Sequence, residues 1–124
     1  ENLRFWARVY GAPSVDVAMD AFDLGGLRDR LGGTLSAGQQ RRCGLARLAL
    51  SGRPLWLLDE PTVSLDAAAQ GMLADAVAAH LSDGGMAILT SHVPLPMETA
   101  RLDLTPFRAT RQAATLEAFG EALE

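Results

Sequence analysis

The sequence predicts an α/β fold in which a helical region precedes parallel strands that alternate with helices. Two short apolar runs, residues 55–58 and 86–90, are bounded by turn-forming residues and separated by a segment that favours a helix. Strands joined through a helix usually lie side by side and parallel. The chain has 124 residues, of which 48% are hydrophobic, so one domain with a core is feasible.

The region before the first strand is predicted to contain three helices. Apolar residues recur at helical spacing over residues 1–10, and Ser14 can cap a second helix that extends to about Phe22. After a glycine-rich connection, a third helix is predicted over about residues 37–50.

The region from residue 55 onward is predicted to alternate between strand and helix. Both apolar runs are continuous, as in strands buried on both faces of a parallel sheet. Between them, Asp66 can cap a helix that extends to about Leu81. A short strand over residues 101–104 and a last helix over about residues 108–123 are predicted to follow.

Composition argues against several classes of protein. The net charge of −4 argues against a dedicated nucleic-acid binder, so no nucleic-acid partner is predicted. The single cysteine, Cys43, cannot form an internal disulfide and is expected to pack in the core. No apolar run approaches the about 20 residues that a membrane span needs.

Two carboxylates, Asp59 and Glu60, directly follow the first predicted strand. In open parallel sheets, ligands lie beyond the carboxyl ends of the strands, and Pro61 keeps the pair out of a helix interior. Mg²⁺ often takes one or two carboxylates together with phosphates. Asp59 is therefore a candidate metal ligand, and Glu60 is a candidate to orient or deprotonate an attacking water. A solvated acidic turn is the alternative.

The segment SAGQ opens the third predicted helix. Ser36 and Gln39 fit a capping box, in which each side chain bonds to the other residue's backbone N–H. The same helix end offers free N–H groups to an anion, and Gly38 has no side chain to block its approach. Arg41 and Arg42 add positive potential, although such residues more often form a solvated helix face. The segment is therefore either a structural cap or a phosphate site.

His92 follows the second predicted strand. Because neighbouring parallel strands end on the same side of a sheet, His92 is predicted to share a cleft with Glu60 and to contact a phosphate or the attacking water there. An ordinary surface histidine is the alternative. His80, in the polar part of a predicted helix, is assigned no role.

The order and spacing of these segments resemble the ATP-binding-cassette (ABC) ATPases over about residues 1–105. The matching segments are LSAGQ (35–39), LWLLDEPT (55–62), SLD (64–66) and a histidine after a strand, His92. Within that family, the stretches ENLRFWARVYG, LSAGQQRRCGLARLAL, RPLWLLDEPTVSLD and TSHVPLP most resemble the ATPase subunits of the haem exporters of cytochrome c maturation.

The resemblance implies a nucleotide site shared between two subunits. The segment that resembles the signature motif consists of Ser36, Ala37, Gly38 and Gln39. In that family two ATPase subunits pair head to tail, and the signature of one completes the ATP site of the other. Asp66 belongs to a segment that resembles the D-loop, which crosses this interface, and it is counted with the cofactor-binding residues.

The resemblance also implies a role for each residue at the strand ends. Asp59 looks like the magnesium-associated Walker B aspartate, Glu60 like the general base and His92 like the switch histidine that contacts the γ-phosphate. ATP and Mg²⁺ are the cofactors that these roles imply.

The resemblance implies three regions along the chain. Residues 1–50 form a helical signature subdomain, which in that family meets integral membrane transport subunits. Residues 51–106 form the C-terminal part of a RecA-like core, and residues 107–124 form a C-terminal helix. The implied function is to couple ATP hydrolysis to the export of haem, from a peripheral position on the cytoplasmic face of the inner membrane.

The sequence departs from the family pattern because it contains no lysine and no G-x-x-x-x-G-K-[ST] motif. The expected fold is therefore a partial P-loop NTPase fold in which the Walker A half is missing, and this chain alone is expected to be inactive. The alternatives are a non-catalytic interaction or regulatory fragment that retains the signature surface, and the ATPase of another bacterial ABC exporter.

Overall fold

The computed structural model describes residues 1–107, and the predicted last helix lies outside the described residues. The main elements, in chain order, are α1 (Asn2–Tyr10), α2 (Asp16–Ala21), α3 (Ala37–Leu50), β1 (Leu55–Leu58), α4 (Ala67–Ser82) and β2 (Met86–Leu89). Short 3-10 turns occur at Gly25–Leu27, Gly32–Thr34 and Thr105–Phe107.

The two strands pair in parallel, with Leu55 opposite Met86 and Leu58 opposite Leu89. The connection between them is α4, which packs against β2. The predicted α/β class, the three preceding helices and the strand–helix–strand order are therefore confirmed. The register places the carboxyl ends of both strands at the same edge, so the segments that follow them lie side by side.

The predicted caps of the two long helices are confirmed. Ser36 Oγ accepts the Gln39 N–H at 3.3 Å, and Gln39 Oε1 accepts the Ser36 N–H at 3.0 Å, which completes the capping box of α3. Asp66 Oδ1 accepts the Ala69 N–H at 2.8 Å at the start of α4. Ser14 is not the N-cap of α2, because that helix begins one residue later, after Val15.

One continuous apolar core joins the helices to the inner face of the sheet. Phe22 of the helical region and Leu73 and Val77 of α4 are fully buried, and Trp56 and Leu58 of β1 point into the same core. Successive side chains of a strand point to opposite faces. The tryptophan and the leucine therefore occupy the inner face, and their neighbours in β1 occupy the outer face.

The prediction that both strands are buried on both faces is wrong for the described residues. On the outer face, Leu55 and Leu57 are 41% and 69% exposed, and Met86 and Ile88 are 57% and 60% exposed. Within residues 1–107 helices cover only the inner face of this two-stranded sheet. We call these four residues the outer sheet face.

The predicted strand over residues 101–104 is also wrong. This segment has no regular secondary structure, and Leu102 and Leu104 are 75% and 60% exposed. A strand requires a neighbouring backbone to satisfy its N–H and C=O groups. Among the described residues no strand pairs with this segment.

None of the helices in residues 1–107 combines the length and the apolar character needed to cross a membrane.

Candidate functional site

The carboxyl ends of β1 and β2 bring the predicted acids and the predicted histidine together. His92 Nε2 lies 3.2 Å from Glu60 Oε1, which makes an ion pair whenever the imidazole is protonated. The His92 side chain is 94% exposed and that of Glu60 is 32% exposed. The predicted meeting of these two residues is therefore confirmed, and the pair is open to a ligand from solvent.

Glu60 has an unusual backbone conformation that its neighbours stabilise. Its φ of 45° lies in the left-handed region, which costs a residue other than glycine about 1–3 kcal/mol. The Thr90 hydroxyl accepts the Glu60 N–H at 2.9 Å, and Arg41 Nη2 donates to the Glu60 carbonyl at 2.8 Å. Both backbone polar groups of Glu60 are thus held from elements outside its own loop.

Asp59 is exposed, and one of its carboxylate oxygens is oriented by a neighbour. Oδ1 accepts a hydrogen bond from the Thr90 hydroxyl at 2.6 Å. Within residues 1–107 no group of three or more His, Cys, Asp and Glu side chains could enclose a metal ion. Mg²⁺ in proteins is often bound through only one or two carboxylates together with phosphates and water, which is the ligand type that Asp59 and Glu60 offer. The role of Asp59 as a magnesium ligand stays a prediction.

Three hydroxyl residues at this site were not predicted from the sequence. Thr90 directly follows β2 and contacts both acids. Thr62 Oγ1 and Ser91 Oγ lie 3.0 Å apart, which joins the loop after β1 to the loop after β2. The signal available in the sequence was their position, within two residues of the predicted acids or the predicted histidine.

Arg41 and Arg42 do not form the solvated helix face that the sequence favoured, because both are half-buried. Arg41 reaches the Glu60 carbonyl, and its Nε is buried with no hydrogen-bond partner among the described residues. Arg42 Nη1 donates to the Phe22 carbonyl at 3.1 Å. Helix α3 is therefore fastened through one arginine to the acidic loop and through the other to the end of α2.

The first turn of α3 lies beside the loop that precedes α4. Ser36 and Ala37 are exposed, and Gly38 and Gln39 are half-buried. A side chain at Gly38 would lie 3.6 Å from the Ser64 carbonyl, which is ordinary van der Waals contact. The predicted signature and D-loop segments are therefore neighbours in this chain. The ATP-binding roles of Ser36, Ala37, Gly38, Gln39 and Asp66 stay predictions.

His80 and Cys43 lie away from this end of the sheet, and their contacts suit a role in packing. The His80 ring stacks on Trp56 with the ring centroids 4.0 Å apart, and His80 Nε2 lies 3.2 Å from the Met86 carbonyl. Cys43 is half-buried, where a fully packed position was expected, and burial raises the pKa of its thiol. A raised pKa leaves less thiolate at neutral pH, which does not suit a nucleophile.

Comparison with known proteins gives relatives over most of the chain. Residues 4–63 match the family model described as ABC transporter. The cytochrome c biogenesis ATP-binding export protein CcmA of Roseobacter denitrificans is 56% identical over 96% of this chain and 60% of its own length. The protein of the same name from Ruegeria pomeroyi is 54% identical over 88% of this chain and 53% of its own length. The chain thus spans somewhat more than half the length of these relatives, and it belongs to the ABC transporter family.

Proposed function

We propose that this chain carries the signature motif, the catalytic acids and the switch histidine of an ABC transporter ATPase that couples ATP hydrolysis to export. The observation that supports this most directly is the meeting of Glu60 and His92, 3.2 Å apart, beside the exposed Asp59 at the joint carboxyl end of the two strands. This edge is where open parallel sheets bind their ligands.

Each residue of this group has chemistry suited to hydrolysis. Asp59 would hold Mg²⁺, which would supply positive charge next to the phosphate oxygens. Glu60 orients the attacking water and accepts its proton. His92, almost fully exposed beside Glu60, donates a hydrogen bond to the γ-phosphate.

The partners in this proposal are a second ATPase subunit and integral membrane transport subunits. The exposure of Ser36 and Ala37 supports the first, because it leaves the positive end of α3 open to a phosphate on another subunit. The relatives are named for export in cytochrome c biogenesis. Cytochromes c carry haem, so we propose haem as the exported compound and the cytoplasmic face of the inner membrane as the site of action.

A second candidate function is a non-catalytic interaction module. These 124 residues contain no lysine, so they do not themselves supply the lysine that contacts phosphate in P-loop proteins. We therefore expect no hydrolysis of ATP by the 124-residue polypeptide itself.

The Glu60→Gln variant separates these functions when it is made in the protein expressed from its complete gene. We expect wild-type binding of a fluorescent ATP analogue and a fall in Mg²⁺-dependent hydrolysis of about 100-fold or more, because glutamine keeps the size of glutamate but cannot accept a proton.

The matched control is Glu98→Gln, which removes the same charge at an exposed glutamate for which the described residues show no ion pair. We expect it to hydrolyse ATP at the wild-type rate. Hydrolysis by Glu60→Gln at the wild-type rate would remove Glu60 from the role of base. A complete protein that neither binds nor hydrolyses ATP would favour the interaction module.

A further inference from the structure

We propose that Thr90 is the positioning residue of this site, because its hydroxyl fixes the Asp59 carboxylate and the Glu60 backbone relative to each other. The inference rests on the proposed function and adds to it a residue to which no role has been assigned above. Thr90 would not touch the nucleotide or the metal, and it would act only through the two acids.

The geometry lets one hydroxyl serve both acids at once. A threonine hydroxyl has one hydrogen to donate and two lone pairs to accept with. Thr90 Oγ1 donates to Asp59 Oδ1 at 2.6 Å and accepts the Glu60 N–H at 2.9 Å. The first distance is typical of a hydroxyl that donates to an ionised carboxylate. Since the donor and an acceptor site are both used, the hydroxyl has a single favoured orientation.

The position of Thr90 is itself fixed by its backbone and by its side-chain shape. Its N–H donates to the Leu58 carbonyl at 2.9 Å, which extends the pairing of the two strands by one residue. Its β-branched side chain has few rotamers available. The hydroxyl therefore fixes the residues that follow β1 in position relative to β2.

The Glu60 backbone is strained, so it depends on hydrogen bonds from its neighbours to keep its conformation. Its φ of 45° is unfavourable for glutamate, and the loop would relax if nothing held it. The Thr90 hydroxyl accepts the N–H, and the C=O accepts from Arg41 Nη2 and from the Val63 N–H at 3.3 Å. Glu60 Oε1, the atom that lies beside His92, belongs to a residue whose backbone these contacts hold in place.

Thr90→Val tests this inference because it removes the hydroxyl and keeps the β-branched shape. The Asp59 carboxylate then loses the donor that orients it, and the Glu60 N–H loses its acceptor. Partners that orient metal ligands typically change metal affinity or activity by about 10–100-fold when they are removed. The variant is made in the protein expressed from its complete gene. We expect the Mg²⁺ concentration that gives half-maximal nucleotide binding to rise about tenfold, and kcat for ATP hydrolysis to fall about tenfold or more.

Two readouts are used, so that the result does not depend on turnover alone. The first is the binding of N-methylanthraniloyl-ATP, followed by fluorescence as Mg²⁺ is titrated. The second is kcat and KM for ATP at saturating Mg²⁺. A residue that only supported the fold would alter thermal unfolding without changing the Mg²⁺ dependence. Valine has nearly the size of threonine, so it leaves no cavity at this exposed position. We expect the unfolding temperature of Thr90→Val to fall only slightly, by the loss of the two exposed hydrogen bonds of this hydroxyl.

Two further variants make the comparison specific to the hydroxyl at this position. Thr90→Ser keeps the hydroxyl, and we expect both readouts to stay within about threefold of wild type. Thr34→Val makes the same isosteric change where the hydroxyl donates to the Leu31 carbonyl, away from the acids, and we expect wild-type values. If Thr90→Val does not fold, Thr90→Ala provides the same loss of the hydroxyl.

Wild-type Mg²⁺ dependence and kcat in Thr90→Val would overturn the inference while the proposed function stands. Equal losses in Thr90→Ser and Thr90→Val would also overturn it, because the hydroxyl would then not be the active feature. A wild-type protein that shows no Mg²⁺-dependent binding or hydrolysis of ATP would instead overturn the proposed function, and the inference with it.

Discussion

Ser36, Arg41 and Thr90 show which residue roles a sequence reveals. The Ser36–Gln39 capping box is local, because all of its atoms lie within four residues, and the pattern S-x-x-Q predicted it. Arg41 reaches the Glu60 carbonyl across 19 positions in the sequence, and Thr90 reaches Asp59 across 31. Contacts at such separations depend on how the elements pack, so no local pattern indicates them.

The Ser36→Ala variant tests the local role of this cap. We expect the free energy of unfolding to fall by about 1 kcal/mol, because the Gln39 N–H loses its side-chain acceptor. Equilibrium urea denaturation measures the change. Ser82→Ala is the control, since the Ser82 hydroxyl donates to the Ala78 carbonyl within α4, and its loss should cost less than about 0.5 kcal/mol. Equal stability of Ser36→Ala and the wild type would argue against the cap.

At the scale of elements, the junction of α4 and β2 depends on one glycine. A Cβ on Gly85 would lie 2.2 Å from the His80 ring, which is itself stacked on Trp56. The sequence assigned no role to His80, because its surroundings are contributed by β1 and by the turn that leads into β2. The turn is close enough only because position 85 has no side chain.

The Gly85→Ala variant should therefore destabilise the protein by about 1–3 kcal/mol, since the methyl group would displace the His80 ring from Trp56. Thermal or urea unfolding measures the loss. Gly71→Ala is the matched control, because nothing lies within 4 Å of the added methyl group in the middle of α4. There we expect a gain of about 0.5–1 kcal/mol from helix propensity. A Gly85→Ala protein as stable as the wild type would show that the ring can move at no cost.

At the scale of the whole molecule, the sheet has one buried face and one exposed face. The continuous runs LWLL and MAIL indicated burial on both sides, yet the outer sheet face is exposed in the described residues. Contiguous apolar surface of this kind favours association with other apolar surfaces. The sequence indicates that both faces of the sheet are apolar, but it could not show which face the helices of this chain cover.

The double variant Leu57→Thr/Ile88→Thr tests the consequence of this exposure. We expect the 124-residue polypeptide to associate and to bind an apolar fluorescent dye, and the double variant to do so much less, because threonine is polar and still suits a strand. Sedimentation and dye fluorescence measure both effects. Val17→Thr, at a 74% exposed valine of α2, is the control and should change little. A wild-type polypeptide that is monomeric and binds no dye would contradict the prediction.

The sequence by itself determined the order of the elements, the two helix caps and the placement of Asp59, Glu60 and His92 after parallel strands. These features follow from local hydrogen bonding, from hydrophobic periodicity and from the rule that parallel strands end on the same side. Only the tertiary structure decided that the outer sheet face is exposed, that Arg41 and Thr90 hold the Glu60 backbone, and that residues 101–104 form no strand. Each of these depends on a partner that is distant in the sequence, or on the lack of one among the described residues.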